Sequence, residues 1–96
     1  MKSFYIVHGF VQGVGYRAFV SGVAVGLGIN GFVRNSDNGS VEIFAIGEEN
    51  KLKLFEEKIN TTIGKIEVLS IEKKKEFPKE CMKKYNRFII EETTTH

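Results

Sequence analysis

The chain has 96 residues, 42% of them hydrophobic, which suffices for one compact core and is too few for two domains. The formal charge is only +2, with three basic and four acidic groups in residues 1–50 against eleven and eight in residues 51–96. The later lysines, Lys73, Lys74, Lys75, Lys79, Lys83 and Lys84, together with Arg87, are interspersed with Glu72, Glu76 and Glu80, the pattern of a solvated face rather than of a nucleic-acid stripe. No apolar run approaches the roughly 20 residues of a membrane span, and His8, Gln12, Arg17 and several glycines break the only stretch that could pass for a secretory signal. The single cysteine, Cys81, has no partner for a disulfide, and with His8 and His96 it offers no spacing for a metal. One soluble, cytoplasmic domain over residues 1–92 is expected, without metal or cofactor, and with 93–96 as a frayed tail.

Ser3 to Phe10 is rich in aromatic and β-branched residues and ends at Val11-Gln12-Gly13-Val14-Gly15, so it reads as a strand entering a loop. From Tyr16 the apolar residues Tyr16, Val20, Val23 and Leu27 recur at helical spacing, and Gly28 supplies a stop. Gly22, Gly26 and the valines are poor helix formers, so this helix depends on packing against a sheet. Gly31–Asn35 and Val41–Ile46 flank the turn cluster Ser36-Asp37-Asn38-Gly39, which predicts a hairpin with an Asn-Gly turn. A second helix is predicted from Glu48 to Ile63, with Leu52, Phe55, Ile59 and Ile63 on one face. Beyond Gly64 a fourth strand is expected, with Ile66, Val68 and Ser70 on one side and Glu67, Leu69 and Ile71 on the other. A polar connection with Pro78 leads to a short last strand within Tyr85–Ile90. The order is βαββαβ with a fifth strand appended, the α+β, ferredoxin-like split βαβ sandwich in which two helices cover one face of an antiparallel sheet.

Fold does not give function, so the polar residues of the loops carry the argument. Gly13 and Gly15 let successive backbone N–H groups converge, and the helix start adds the positive end of its dipole, so an anion fits there. Arg17 in the first turn could grip two phosphate oxygens with its planar fork. The plain alternative is a tight crossover with Arg17 facing solvent. Asn35 ends its strand, and Arg34 must point to the opposite face because side chains alternate. An asparagine amide can hold a water without acting as a base. It can equally bond its own turn backbone.

Gly9-Phe10-Val11-Gln12-Gly13-Val14-Gly15-Tyr16-Arg17 resembles the acylphosphatase signature, and Gly31-Phe32-Val33-Arg34-Asn35 followed by Gly39-Ser40-Val41-Glu42 resembles that family's second motif. The family often carries tryptophan where this chain has Phe32, and Lys73–Lys84 is the least family-like stretch. The resemblance implies hydrolysis of the carboxyl–phosphate anhydride bond of acyl phosphates, without a covalent phosphoenzyme. It assigns phosphate binding to the backbone of Gln12, Gly13, Val14, Gly15 and Tyr16 and to the side chain of Arg17, and orientation of the attacking water to Asn35. With the composition above, the expectation is no metal or cofactor, a small acyl phosphate and phosphate as partners, and neither nucleic acid nor membrane; a monomer is expected, although the sequence leaves the oligomeric state open. The motifs contain no nucleophile or carboxylate base, which suits an already labile bond whose carboxylate leaves without a proton.

Two rivals are weaker. Gly13-Val14-Gly15-Tyr16-Arg17-Ala18 fits G-x-G-x-x-A, but the parallel sheet of a dinucleotide fold is not encoded here. An RNA-recognition sheet has the same order of elements, yet Asn30-Gly31-Phe32-Val33-Arg34 lacks its aromatic consensus. His8 is expected at the sheet surface, Cys81 as an inert thiol, and Tyr16 and Phe19 as packing residues of the first helix.

Overall fold

A computed structural model of the chain describes residues 1–93. Its elements are β1 (Lys2–Phe10), α1 (Tyr16–Leu27), β2 (Asn30–Asn35), β3 (Val41–Ile46), α2 (Glu49–Ile59), β4 (Thr62–Ile63), β5 (Ile66–Lys74), a 3-10 turn (Lys79–Met82) and β6 (Phe88–Ile90). The strands form one sheet in the order β4-β5-β1-β3-β2-β6. All neighbours are antiparallel except β6, which runs parallel to β2 with Gly31 opposite Phe88 and Val33 opposite Ile90. The ferredoxin-like arrangement is as expected; the sheet has six strands rather than five and is not wholly antiparallel. Of the expected tail at 93–96, all but Thr93 lies outside the described residues.

Both helices pack on one face of the sheet. Tyr16, Val20 and Ala24 of α1 and Leu52, Phe55 and Ile59 of α2 meet Tyr5, Val7, Val33 and Ile43 from the strands. The buried stripe of α1 runs through Ala24, while Val23 and Leu27 are only half-buried beside it. The helix ends as Gly28 predicts: its φ is 71°, its N–H donates to Val25 O, and the Ile29 N–H donates to Ala24 O, the paired bonds of a Schellman cap.

Three expectations need correcting. First, α2 stops at Ile59 and not at Ile63, because Gly64 (φ 58°) and Lys65 turn the chain so that Thr62–Ile63 pairs with Ile66–Glu67. Second, the strict alternation over residues 66–71 is broken. The register against β1 slips between His8, opposite Ser70, and Gly9, opposite Val68, leaving Leu69 as a bulge. Val68 and Ile71, not Val68 and Ser70, therefore reach the helix-side core. Third, the hairpin turn uses Gly39 alone in the left-handed region (φ 94°), with no positive φ at Asn38. Asn38 instead accepts hydrogen bonds at Oδ1 from the Ser40 N–H (3.0 Å) and hydroxyl (2.6 Å).

The second face of the sheet carries Phe4, Phe32 and Phe44, and it is not open. The connection from β5 to β6 folds back over it, bringing the rings of Phe77 to 5.7 Å from Phe44 and of Tyr85 to 5.7 Å from Phe32, with Cys81 buried between the strands and this cover. Arg34 lies beneath the same cover, 5% exposed, with Nε on Glu42 at 2.8 Å, a terminal nitrogen on Glu80 at 3.2 Å and its guanidinium over Phe32. Burial works against this charge, but Glu42 and Glu80 outweigh it and hold the guanidinium more firmly protonated than usual. The lysine-rich connection is thus a solvated face on its outside and a lid on its inside. An RNA-recognition sheet needs its aromatic face free for stacking, and here that face is filled.

Two tyrosines link the helices to the strands. Tyr16 donates to Ile59 O at 2.8 Å, and Tyr5 donates to Glu56 at 2.5 Å. Burial raises both phenols well above the ordinary tyrosine range, and Glu56 adds to the effect at Tyr5. The folded state holds these protons more tightly than the unfolded one, so their contribution is complete below the unfolded pKa of about 10 and is lost as pH rises beyond it. The thermal midpoint is expected to fall between about pH 9.5 and 11.5, and Tyr16→Phe is expected to flatten that fall; equal slopes in parent and variant would refute it.

Candidate active site

The loop between β1 and α1 is shaped by two glycines in the left-handed region, Gly13 at φ 72° and Gly15 at φ 87°. A Cβ at either would meet no atom within 4 Å, so backbone conformation, and not crowding, calls for glycine. Gly15 is also the N-cap of α1, and its carbonyl accepts the Phe19 N–H at 3.1 Å. No side chain caps this helix start, and the N–H groups from Gln12 to Gly15 have no partner among the described residues. Unpartnered donors at the positive end of a helix dipole form a place for an anion.

Gly13, Gly15, Arg17, Ala18 and Ile90 line a cleft of about 190 Å³ at this loop. Arg17 makes no ion pair or hydrogen bond with the described residues, in contrast to Arg34, which is committed to carboxylates on the other face. Of the two arginines in the motifs, only Arg17 is available to a ligand. Ile90 was not legible as a site residue: β6 reaches the cleft through its packing beside α1 and its parallel pairing with β2, a contact between segments more than fifty residues apart.

The other residues singled out by sequence fall into different roles. Gln12 turns its side chain away from the cleft: Nε2 donates to Ser36 O at 2.6 Å and to Ser40 O at 2.8 Å. It pins the loop to the β2–β3 turn, a function its position alone did not reveal. Val14 packs against the helix-side core, and Tyr16 is fully buried, so the backbone alone of these two can serve an anion. Tyr16 and Phe19 are packing residues, as expected, with rings 6.3 Å apart. His8 is partly exposed on β1 with Nε2 3.6 Å from Glu72. Cys81 is a buried free thiol, pushed up by burial to about 11, which keeps it in the unreactive form at neutral pH.

Asn35 ends β2 on the side opposite Arg34, directly before Ser36, whose carbonyl receives Gln12. It does not line the cleft; the Gln12 bridge is what brings the end of β2 beside the loop. Its Oδ1 is buried and has no protein hydrogen-bond partner among the described residues. A buried acceptor in that state costs about 1–3 kcal/mol unless a donor satisfies it. Among the described residues, Asn35 and the hydroxyl of the adjacent Ser36 are the side chains carrying such an atom.

No helix among the described residues is long and apolar enough to cross a membrane, and no group of three or more His, Cys, Asp or Glu residues is placed to hold a metal.

Comparison with known proteins agrees with the motifs. The family model described as Acylphosphatase matches residues 3–90. An acylphosphatase of Pasteurella multocida is 48% identical over 52 residues, 54% of this chain and 58% of the relative. The chain thus spans little more than half the length of such curated relatives. The crystal structure of the acylphosphatase from Bacillus subtilis superimposes with a TM-score of 0.76 at 35% identity, covering 93% of this chain and 96% of the other. The crystal structure of T. kodakarensis HypF is similar too, with a TM-score of 0.80 at 30% identity, over the whole of this chain but only 12% of that one. With a family model spanning almost every described residue, a solved relative matched from end to end and both motifs gathered at one end of the sheet, the chain belongs to the acylphosphatase family.

Proposed function

We propose that this protein hydrolyses the carboxyl–phosphate anhydride bond of acyl phosphates, releasing a carboxylate and inorganic phosphate, with Arg17 and Asn35 as its catalytic residues. The observation that carries this reading is Arg17, uncommitted among the described residues, beside a glycine loop whose N–H groups have no partner among them. The loop from Gln12 to Tyr16 and the Arg17 fork hold the phosphoryl oxygens and stabilise charge as the phosphoryl group transfers. Asn35 orients a water through its amide. The water oxygen forms a bond to phosphorus while the bond from phosphorus to the acyl oxygen breaks. The carboxylate departs with the bonding pair, and the water's proton passes to a phosphate oxygen. Because the carboxylate leaves unprotonated, no general acid is required, in keeping with a cleft whose lining contains no titratable acid.

The positive charge that the reaction needs comes from Arg17 and the helix start, so the reading includes independence from metal ions. It also includes a domain over residues 1–92 acting as a cytoplasmic monomer on a small diffusible substrate. Benzoyl phosphate hydrolysis in excess EDTA tests the chemistry. Asn35→Ala is expected to keep the fold and to lower kcat by on the order of 10²-fold with little change in KM, because a water-orienting group acts in the transition state. A phosphorylated side chain trapped during turnover, or full activity in the variant, would overturn the assignment.

A further inference from the structure

Beside α1, apart from the phosphate cleft, lies a groove of about 580 Å³ lined by Ala18, Phe19, Gly22, Val23, Gly26, Leu27 and Lys58. Ala18 belongs to both, so the groove begins where the phosphate cleft ends. From Ala18 to Gly26 it follows α1 for about 12 Å at the rise of an α-helix. Phe19, Val23 and Leu27 supply an apolar floor, and Lys58 of α2 is the one charged residue of the lining.

Gly22 and Gly26 sharpen this picture. Each weakens the interior of a helix by about 1 kcal/mol relative to alanine. Neither is required by packing, since a Cβ at either position would meet no atom within 4 Å, and neither has a positive φ. Both line the groove, so a large side chain at either position would take up its space. Its direction also suits the chemistry. In-line displacement puts the leaving carboxylate on the side of phosphorus away from the attacking water. Asn35 sits at the end of β2, whereas the groove runs on the side of α1 that faces α2, as its Lys58 wall requires.

We propose that this groove receives the acyl portion of the substrate and selects for apolar acyl chains, with Gly22 and Gly26 as specificity-determining positions. The inference rests on the acylphosphatase reading and deepens it by naming the substrate class. A methylene held against such a floor is worth roughly a four-fold gain in affinity, so a six-carbon chain is discriminated strongly from a two-carbon one.

The test compares kcat/KM for hexanoyl phosphate and acetyl phosphate in the parent, in Gly22→Leu, in Gly26→Leu and in Val25→Leu, an exposed site on α1 outside the groove. Leucine favours helix, and circular dichroism verifies the fold of each variant. The parent is expected to prefer hexanoyl phosphate by at least ten-fold, Gly22→Leu to reduce that preference by ten-fold or more, Gly26→Leu to reduce it less, and Val25→Leu to leave it unchanged. Turnover of both substrates with no chain-length preference, or with a preference indifferent to Gly22→Leu, would overturn the groove alone. Turnover of neither would overturn the activity and the groove with it.

Discussion

Replacing Arg17 by glutamine is expected to lower kcat/KM for benzoyl phosphate by on the order of 10³-fold, the scale on which arginine stabilises a transferring phosphoryl group. The loop N–H groups are dipoles; the guanidinium is the full positive charge in the cleft lining, and it can form two parallel bonds to phosphate oxygens. Arg17→Lys should recover only part of the loss, because an ammonium keeps the charge without the fork. Inorganic phosphate, as a competitive inhibitor, should bind more weakly in the glutamine variant. Neither change should disturb the fold, since Arg17 has no ion pair or hydrogen bond with the described residues. Activity within ten-fold of the parent in a folded Arg17→Gln would show that the loop alone carries the phosphoryl charge.

The second large effect concerns folding. Gly31 sits in β2 at φ 137°, between Ala45 of β3 and Phe88 of β6. A Cβ there would lie 1.9 Å from Phe44 O and 2.8 Å from Phe44 C, atoms of the neighbouring strand's backbone that cannot swing aside as a side chain does. Gly31→Ala is therefore expected to cost at least about 4 kcal/mol, against a total stability of about 5–15 kcal/mol for a domain of this kind. Urea unfolding would register this as a large fall in midpoint or as a chain that does not fold. Gly26→Ala is the matched control. With open space at its Cβ, it should stabilise the protein by about 1 kcal/mol through helix propensity. A loss below about 1 kcal/mol for Gly31→Ala would mean that β3 shifts freely, contrary to its central place in the sheet.

Gly31 also illustrates what a sequence does and does not disclose. Its place in the second motif was legible; the carbonyl of Phe44 behind it was not, because that contact depends on strand register. The same holds across the site. Gly13, Gly15 and Arg17 could be singled out from a strand-to-helix loop alone, since local backbone geometry and charge suffice to argue an anion site. Gln12 was read with them for its backbone; that its side chain also ties the loop to the hairpin is visible only in the folded chain, where Ser36 and Ser40 are its partners. Ile90 had no signal at all, being an ordinary apolar residue that becomes a wall of the cleft through the packing of β6 beside α1.

What the sequence determined by itself is whatever depends on neighbours in the chain. It specified the strand of β1 and the loop it enters, the Gly28 stop of α1, the amphipathic face of α2, the opposed directions of Arg34 and Asn35, and the two motifs that mark the family. Tertiary structure decided what depends on pairing between distant segments. The Leu69 bulge follows from registering β5 against Gly9, the end of α2 at Ile59 from β4 finding β5, and the burial of Arg34 from the return of residues 77–85 across the second face. A helix cap or a strand's alternation is set by steric and hydrogen-bonding preferences within a few residues. A bulge, a covered face and a shared groove are set by which surfaces meet, and no local preference encodes that.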